Sequence, residues 1–365
     1  MTLKFDITAK DKKARVGVLH TLHGDVHTPT ITVNFTPALI RSGLKPDDIK
    51  SLGVELVLVN TFHLFREGVT DVHQYLNWNG PVVADSGGFQ MVSLAKEANI
   101  HSGGVDFSWD DTVYKMTPEN IARWQKDAGV DIIMPLDRVT PTLGNNPLQF
   151  LNSVLTTKRW FSSAHHVCPE QTYYIVQGGL NKIARRISLL DANRWLNKDA
   201  PGVAIGGLAG GEDREDMYKM VEFCTNNLPT NKPRHLFGIG TPVDLIKCID
   251  LGIDTFDCVA STREARHKRL WTFSGTFELK WWKHKDDNSV IEAGCDCPTC
   301  TQGITRAELV KDFQNSLTRQ QAQKRCMLHN IHFLMRLMEK SREAIKQSRF
   351  AEFKNEFLSR YSSKR

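Results

Sequence analysis

Six short apolar runs in this chain end on a group capable of chemistry: Asn60, Asp85, Asp137, Gln177, the pair Gly206–Gly207, and Asp257. An aspartate held at the end of a buried strand can serve as a nucleophile, a general base or a metal ligand, or it can cap the following helix. Asp85 opens Asp-Ser-Gly-Gly-Phe-Gln, whose paired glycines let the backbone approach a ligand closely. Asp137 opens Asp-Arg-Val-Thr-Pro and Gln177 opens Gln-Gly-Gly. A carboxylate beside an amide side chain suits a flat heterocycle that presents several N–H and C=O groups. No Gly-x-Gly-x-x-Gly or Walker sequence sits at a strand-to-helix turn, so a nucleotide cofactor is unsupported. From residue chemistry alone, a hydrolase working with two carboxylates is the second reading.

A different chemistry gathers near the C-terminal end. Of the eight cysteines, Cys168, Cys224, Cys248 and Cys258 are scattered, whereas Cys295-x-Cys297-x-x-Cys300 crowds three thiols onto one tight turn. A disulfide scaffold would be shorter and more evenly stapled, so the crowding indicates a metal. Tetrahedral zinc requires a fourth N or S donor, expected from the helix QKRCMLHNIHFLMRLM. His329 is preferred there, with Cys326 about one turn away as the alternative. Four protein ligands leave no open position, so this Zn²⁺ is expected to be structural, one per chain.

These groups need elements to position them. The runs VELVLVN (54–60), PVVADSGG (81–88), DIIMPLD (131–137), TYYIVQGG (172–179), GVAIGGL (202–208), RHLFGIG (234–240) and DTFDCV (254–259) are continuously apolar rather than alternating. That pattern marks strands buried on both faces, as in a parallel sheet covered by helices. Helical segments lie between them: 117–129 opens with a Thr cap followed by Pro, and 212–228 and 242–252 read similarly. The expected fold is an α/β (β/α)₈ TIM barrel, with a doubly wound open sheet second. In a barrel the strand ends converge on one mouth, where active sites are built. Residues 1–270 are read as the catalytic barrel, and 271–365 as a zinc-binding subdomain with C-terminal helices that complete it.

Composition excludes several classes. The 365 residues are 41% hydrophobic and 24% charged, as in an ordinary globular chain rather than a disordered one. No stretch approaches the ~20 apolar residues that span a bilayer. The opening MTLKFDITAKDKKARVGV lacks the apolar core of a secretory signal, so a cytoplasmic location and no membrane partner are expected. Forty-seven basic residues against forty-one acidic ones give only +6, and the basic clusters at 263–269 and in the C-terminal tail can meet phosphates.

Taken in order, DSGGFQMVSL, TPE, MPLD, IVQGG, AIGGLAGGE, FGIGTP, GIDTFDCV-x-x-TR and CxCxxC with His329-Asn330-Ile331 closely resemble the tRNA-guanine transglycosylases, from about residue 3 to the last helix. The resemblance implies exchange of the wobble guanine in tRNA for a 7-deazaguanine base, in queuosine modification. It implies that Asp257 is the nucleophile, carrying a covalent ribosyl intermediate, and that Asp85 is the general acid–base. Asp137 would recognise the guanine edge with Gln177, Gly206 and the backbone of Gly207 and Leu208, while Ser86 hydrogen-bonds substrate. Phe89 matches the position that stacks on the base, and the opposite wall, often Met in the family, is Phe237 here. Arg263 and Arg266 match tRNA-contacting residues. A dimer is implied too, a homodimer or a heterodimer with a paralogue.

Two positions in the pocket separate the branches of that family. Val139 stands where typical bacterial members have Cys, and Gly210 where they have Val. Both resemble the eukaryotic catalytic subunit, which implies a preference for queuine over its aminomethyl precursor. A DNA-modifying paralogue and a noncatalytic zinc-containing partner subunit are the rival readings; the latter typically loses the aspartates retained here.

Overall fold

The structure, a computed structural model, describes residues 3–35, 39, 41–88, 98–109, 112–140 and 146–362. It begins with an antiparallel meander, β1 (Lys4–Asp11), β2 (Ala14–Thr21) and β3 (Gly24–Thr28). Then come β4 (Thr30–Ile31), β5 (Val33–Phe35), β6 (Val57–Asn60) and β7 (Val82–Asp85). An antiparallel insertion follows, β8 (Ala98–His101), β9 (Gly104–Trp109) and β10 (Thr112–Met116). Beyond it lie β11 (Ile132–Ile133), β12 (Tyr174–Val176), β13 (Val203–Ile205), β14 (Arg234–Leu236) and β15 (Thr255–Phe256). A last hairpin joins β16 (Arg269–Thr272) to β17 (Gly275–Glu278).

The expected parallel strands are present, in two sheets ordered β5-β6-β7-β11 and β12-β13-β14-β15-β4. A parallel bridge between Ile133 and Thr172 links β11 to the start of β12. Only Thr32 separates β4 from β5, and its N–H donates to the Phe256 carbonyl at 2.8 Å. Most of these strands are buried at every residue, which is why their sequences do not alternate.

Alternation reappears in where each residue goes. Leu58, Val83, Ile132, Ile175 and Ala204 join one cluster, while Val57, Val59, Val82, Ala84, Ile133, Val176, Val203 and Ile205 join another. Successive strand residues point to opposite faces, so the sheets carry two separate cores. Leu19 and Val26 of the meander, and Leu3 just before it, belong to the first. Helices Pro147–Val167, Lys182–Lys198, Arg214–Asn226 and Pro242–Asp250 supply residues to the second. Beneath the meander, Arg15 pairs with the fully buried Asp254 just before β15, and its guanidinium also donates to the carbonyls of Thr230 and Lys232.

Helix starts follow their local signals. Thr117 caps Pro118–Asp127, its hydroxyl accepting from Asn120 N–H while the Asn120 side chain reaches back to Thr117 N–H at 2.8 Å. Toward the C-terminus, the 28-residue helix Arg319–Lys346 packs on helix Ala260–Arg266 and against β1, β2 and β16. Among the described residues, no helix is long and apolar enough to cross a membrane.

Candidate active site and metal centre

Strand parity assembles the site. Asn60, Asp85, Gln177 and Gly206 each stand two residues beyond a member of the first core: Leu58, Val83, Ile175 and Ala204. A step of two keeps a side chain on the same face, so the polar groups rise directly above that apolar floor. Asp257 stands likewise two beyond Thr255, whose hydroxyl meets the inward-facing His235 ring at 3.0 Å. Asp85, Gln177, Gly206 and Asp257 line one cavity of about 720 Å³, which also takes in Ser86, Asp137, Val139, Gly207, Gly210 and Phe237. Met134 and Ile175 contribute apolar surface.

Asp85 ends β7 and is held from two sides. The Asn60 amide donates to its Oδ1 at 2.8 Å and the Gly87 N–H donates to the same oxygen at 2.9 Å. With its own Oδ1, Asn60 caps helix Thr61–Arg66, accepting from His63 N–H. Burial, and next the charge of Asp257, push the Asp85 carboxyl up to about 7, against the pull of those two donors. Asp137 is pushed up to about 6 by burial, opposed by the hydrogen bond it accepts from the Gln177 amide.

Two glycines face Gln177. A Cβ at Gly206 would lie 2.6 Å from Gln177 Nε2, and one at Gly207 2.6 Å from its Oε1. Gly207 also has φ +67°, in the region that favours glycine. The Gly-Gly pair therefore leaves the room in which Gln177 reaches Asp137.

Asp257 follows β15 and gathers three donors from other segments. Gly238 N–H lies 3.0 Å from its Oδ1, His235 Nε2 lies 3.2 Å from the same oxygen, and Asn34 Nδ2 lies 3.5 Å from Oδ2. The side chain keeps 14% of its surface open, so a carboxylate oxygen remains within reach of a ligand. His235 and Asn34 were not expected. Both lie inside strands rather than at their ends; the parallel pairing of β14 with β15 reveals His235, and the pairing of β15 with β4, one residue before β5, reveals Asn34. Trp160, from helix Pro147–Val167, and Ile100 and Val105, from the insertion, also line the cavity without having been anticipated.

Other expected residues lie elsewhere. Leu208 is buried and is not among the residues that line the cavity. Arg263 and Arg266 sit on helix Ala260–Arg266, which begins three residues after Asp257, with Arg263 exposed and Arg266 partly so. Phe89 lies outside the described residues.

The cysteine cluster forms one group with His329. His329 Nδ1 lies 3.7, 3.5 and 3.6 Å from the sulfurs of Cys295, Cys297 and Cys300. Around a tetrahedral ion with M–S ~2.3 Å and M–N ~2.05 Å, the S···N separation would be about 3.6 Å. The donors fit a metal ion. All four residues are buried, and His329 Nε2–H donates to the Trp271 carbonyl at 2.8 Å, which leaves Nδ1 with its lone pair for the ion. Cys326 is buried but is not part of the four-atom group, so His329 is the fourth donor of this set.

The next residue ties this centre to the helix that follows Asp257. Asn330 is fully buried; its amide donates to the carbonyls of Ser261 and Arg269, each at 3.1 Å, and its Oδ1 accepts from Trp271 N–H at 3.1 Å. Asn330, adjacent to the metal donor His329, therefore holds both the hairpin and the helix that follows Asp257.

Known proteins resemble this chain in sequence along nearly its whole length. A family model described as queuine tRNA-ribosyltransferase matches residues 10–363. A queuine tRNA-ribosyltransferase of Dictyoglomus turgidum is 37% identical over 375 aligned residues, covering 98% of this chain and 94% of its own. Proteins of the same name from Fusobacterium nucleatum and Caldanaerobacter subterraneus are 36% and 38% identical, the first covering 100% of both chains and the second 100% of this chain and 99% of its own. With the match running through the strands that carry both aspartates and through all four metal donors, this chain belongs to the queuine tRNA-ribosyltransferase family.

Proposed function

We propose that the chain is a pentosyltransferase that exchanges the wobble guanine of tRNA for a 7-deazaguanine base, queuine in preference to its aminomethyl precursor. The observation that carries this reading is the placement of Asp85 and Asp257 on one cavity with Asp137 and Gln177. Asp257 attacks the anomeric carbon of the ribose. The bond from that carbon to the purine breaks, its electron pair leaves with guanine, and a proton from Asp85 neutralises the departing base. An ester-like bond then holds the ribose on Asp257. The incoming base gives its ring N–H proton to Asp85, attacks the same carbon and releases the Asp257 carboxylate. An acid displaced to about 7 suits both directions of that proton transfer near neutrality. A carboxylate close to the sugar stabilises the oxocarbenium-like transition state, then captures it.

Base recognition pairs unlike groups. The Asp137 carboxylate accepts from the N–H edge of guanine, while Gln177 and the Gly207 and Leu208 amides serve its carbonyl. Phe237, with Phe89, sandwiches the ring; Ser86 hydrogen-bonds it; Val139 and Gly210 make room for the queuine substituent. Arg263 and Arg266 contact the RNA, from which the base must be flipped out. A closed (β/α)₈ barrel carries this site, with a zinc-binding C-terminal subdomain. The Ile133–Thr172 bridge and the shared run of β4 and β5 support closure of the two sheets. The ion is Zn²⁺, which fits the thiolate-rich donor set; it holds the fold and takes no part in the exchange. Two chains, alike or paralogous, form the working cytoplasmic unit.

The test is incorporation of labelled guanine into an anticodon stem-loop RNA, with a denaturing gel for the covalent complex. Wild type is expected to exchange and to give a retarded RNA band. Asp257→Ala is expected to lose both. Full exchange by that variant, or exchange into DNA but not RNA, refutes the reading.

A further inference from the structure

Arg185 is fully buried, yet among the described residues its hydrogen bonds go to main-chain carbonyls and to no carboxylate. It lies in the first turn of helix Lys182–Lys198, and its guanidinium is spent on main-chain carbonyls. Nε donates to Gly179 at 2.8 Å, Nη1 to Val176 at 2.8 Å, and Nη2 to Gly206 at 2.6 Å, with Gly207 O at 3.5 Å from the same nitrogen. These carbonyls belong to the ends of two adjacent strands, β12 and β13, and to the turns that follow them. Arg185 is absent from the cavity wall that Gln177, Gly206 and Gly207 form, so it stands behind that wall.

In a planar trans peptide the C=O of one residue and the N–H of the next point in opposite directions. With the Gly206 carbonyl drawn back to the guanidinium, the Gly207 N–H is turned to the other side. The Gly207 carbonyl, at longer range, orients the Leu208 N–H in the same way. The φ of +67° at Gly207 is the local condition for this arrangement, and the planar guanidinium fork supplies several donors from one fixed point. A helix cation facing solvent would need none of these partners, and a purely structural buried arginine would more commonly meet a carboxylate.

We propose that Arg185 is a positioning residue for base selection: by holding the Gly206 and Gly207 carbonyls it aims two main-chain N–H donors at the single ring carbonyl of a guanine-type base. The inference rests on the proposed base exchange, since it names what those donors read. Lysine at this position keeps the charge but cannot reach three carbonyls in a fork, so it separates aiming from charge.

The experiment compares binding of guanine with 6-thioguanine, which replaces only the ring carbonyl oxygen with a weaker acceptor. Dissociation constants are measured by calorimetry on the whole chain without RNA, beside guanine-exchange assays and thermal melts of each variant. Wild type is expected to favour guanine by tenfold or more. Arg185→Lys, melting within a few degrees of wild type, is expected to shrink that preference to threefold or less. In Arg185→Ala, added ethylguanidinium is expected to restore it, a rescue that a loss of fold would not show. A folded Arg185→Lys that keeps the full preference overturns the inference. So does failure of both variants to fold even with ethylguanidinium, which would assign Arg185 to stability alone. A wild type that exchanges guanine without preferring it over the thio analogue overturns this inference but not the proposed activity; a wild type that neither exchanges nor binds guanine overturns both.

Discussion

Replacing Asp85 with Asn should make the protein more stable at alkaline pH while silencing it. The folded carboxyl sits at about 7 against an ordinary 3.8, so the folded chain holds this proton more tightly than the unfolded chain does. Stability from that difference is complete below the unfolded value and is lost as pH rises through about 7. So large a displacement corresponds to a loss of roughly 4 kcal/mol by pH 8, against about 0.5 kcal/mol at pH 4. The carboxyl lines a cavity open to water, so screening brings the expected loss to about 2 kcal/mol. Asparagine avoids it. Its Oδ1 can accept from both Asn60 Nδ2 and Gly87 N–H, because both now point at one oxygen of Asp85. Urea melts of wild type and Asp85→Asn from pH 4 to 8.5 would measure the difference. The two curves should nearly coincide at pH 4 and separate by about 2 kcal/mol at pH 8, the variant being the more stable, with guanine exchange lost throughout. Parallel curves, or a variant less stable at pH 8, would refute the claim that Asp85 is held neutral by its surroundings.

Three other outcomes are expected. Cys297→Ser should reduce bound metal from one ion per chain toward none, measured by atomic emission, and lower the thermal midpoint, since a structural ion contributes folding free energy directly. Asp254→Ala, which strips the buried partner from Arg15, should cost about 3–5 kcal/mol in denaturant melts, with base selectivity unchanged in whatever remains folded. Gly210→Val should shift incorporation from queuine toward the aminomethyl precursor by about tenfold or more, the scale set by bulk in an apolar pocket; an unchanged ratio would remove Gly210 from the account of base choice.

Much of this is legible in the residues themselves, for a definite physical reason. A strand buried on both faces must be apolar throughout, so 54–60 and 172–179 stand out, and a polar residue closing such a run is conspicuous. Asp85, Gln177 and Asp257 are visible for that reason. What stays hidden depends on contacts between distant segments. Strand β1 carries the pattern KFDITAKD, half in solvent, which reads as surface until β2 pairs with it. His235 is one buried residue among others until β14 and β15 stack it under Asp257. Arg185 looks like any helix cation eight residues after Gln177. His329 and Cys326, three residues apart on one helix, differ by only about 60° in direction, so helix packing rather than sequence selects the histidine.

The two central carboxylates sit in unlike surroundings within one cavity. Asp257 is met by donors from three segments, Gly238, His235 and Asn34. Asp85 has two donors on a single oxygen, and burial together with the charge of Asp257 outweighs them. In the proposed exchange these unlike surroundings divide the work, with Asp257 as the nucleophile and Asp85 as the proton carrier. The division depends on Asp257 staying where it is, and the segment just beyond it is fixed by Asn330, next in sequence to the metal-holding His329. Loss of the ion should therefore reach the chemistry through the backbone: an apo protein that remains folded would let helix Ala260–Arg266 shift, weaken the field of Asp257 on Asp85, and move the Asp85 titration down toward the ordinary carboxylate range. Carbon-13 NMR of labelled aspartate carboxyls, with and without metal, would reveal that movement, and an Asp85 titration unchanged by metal removal would uncouple the two sites.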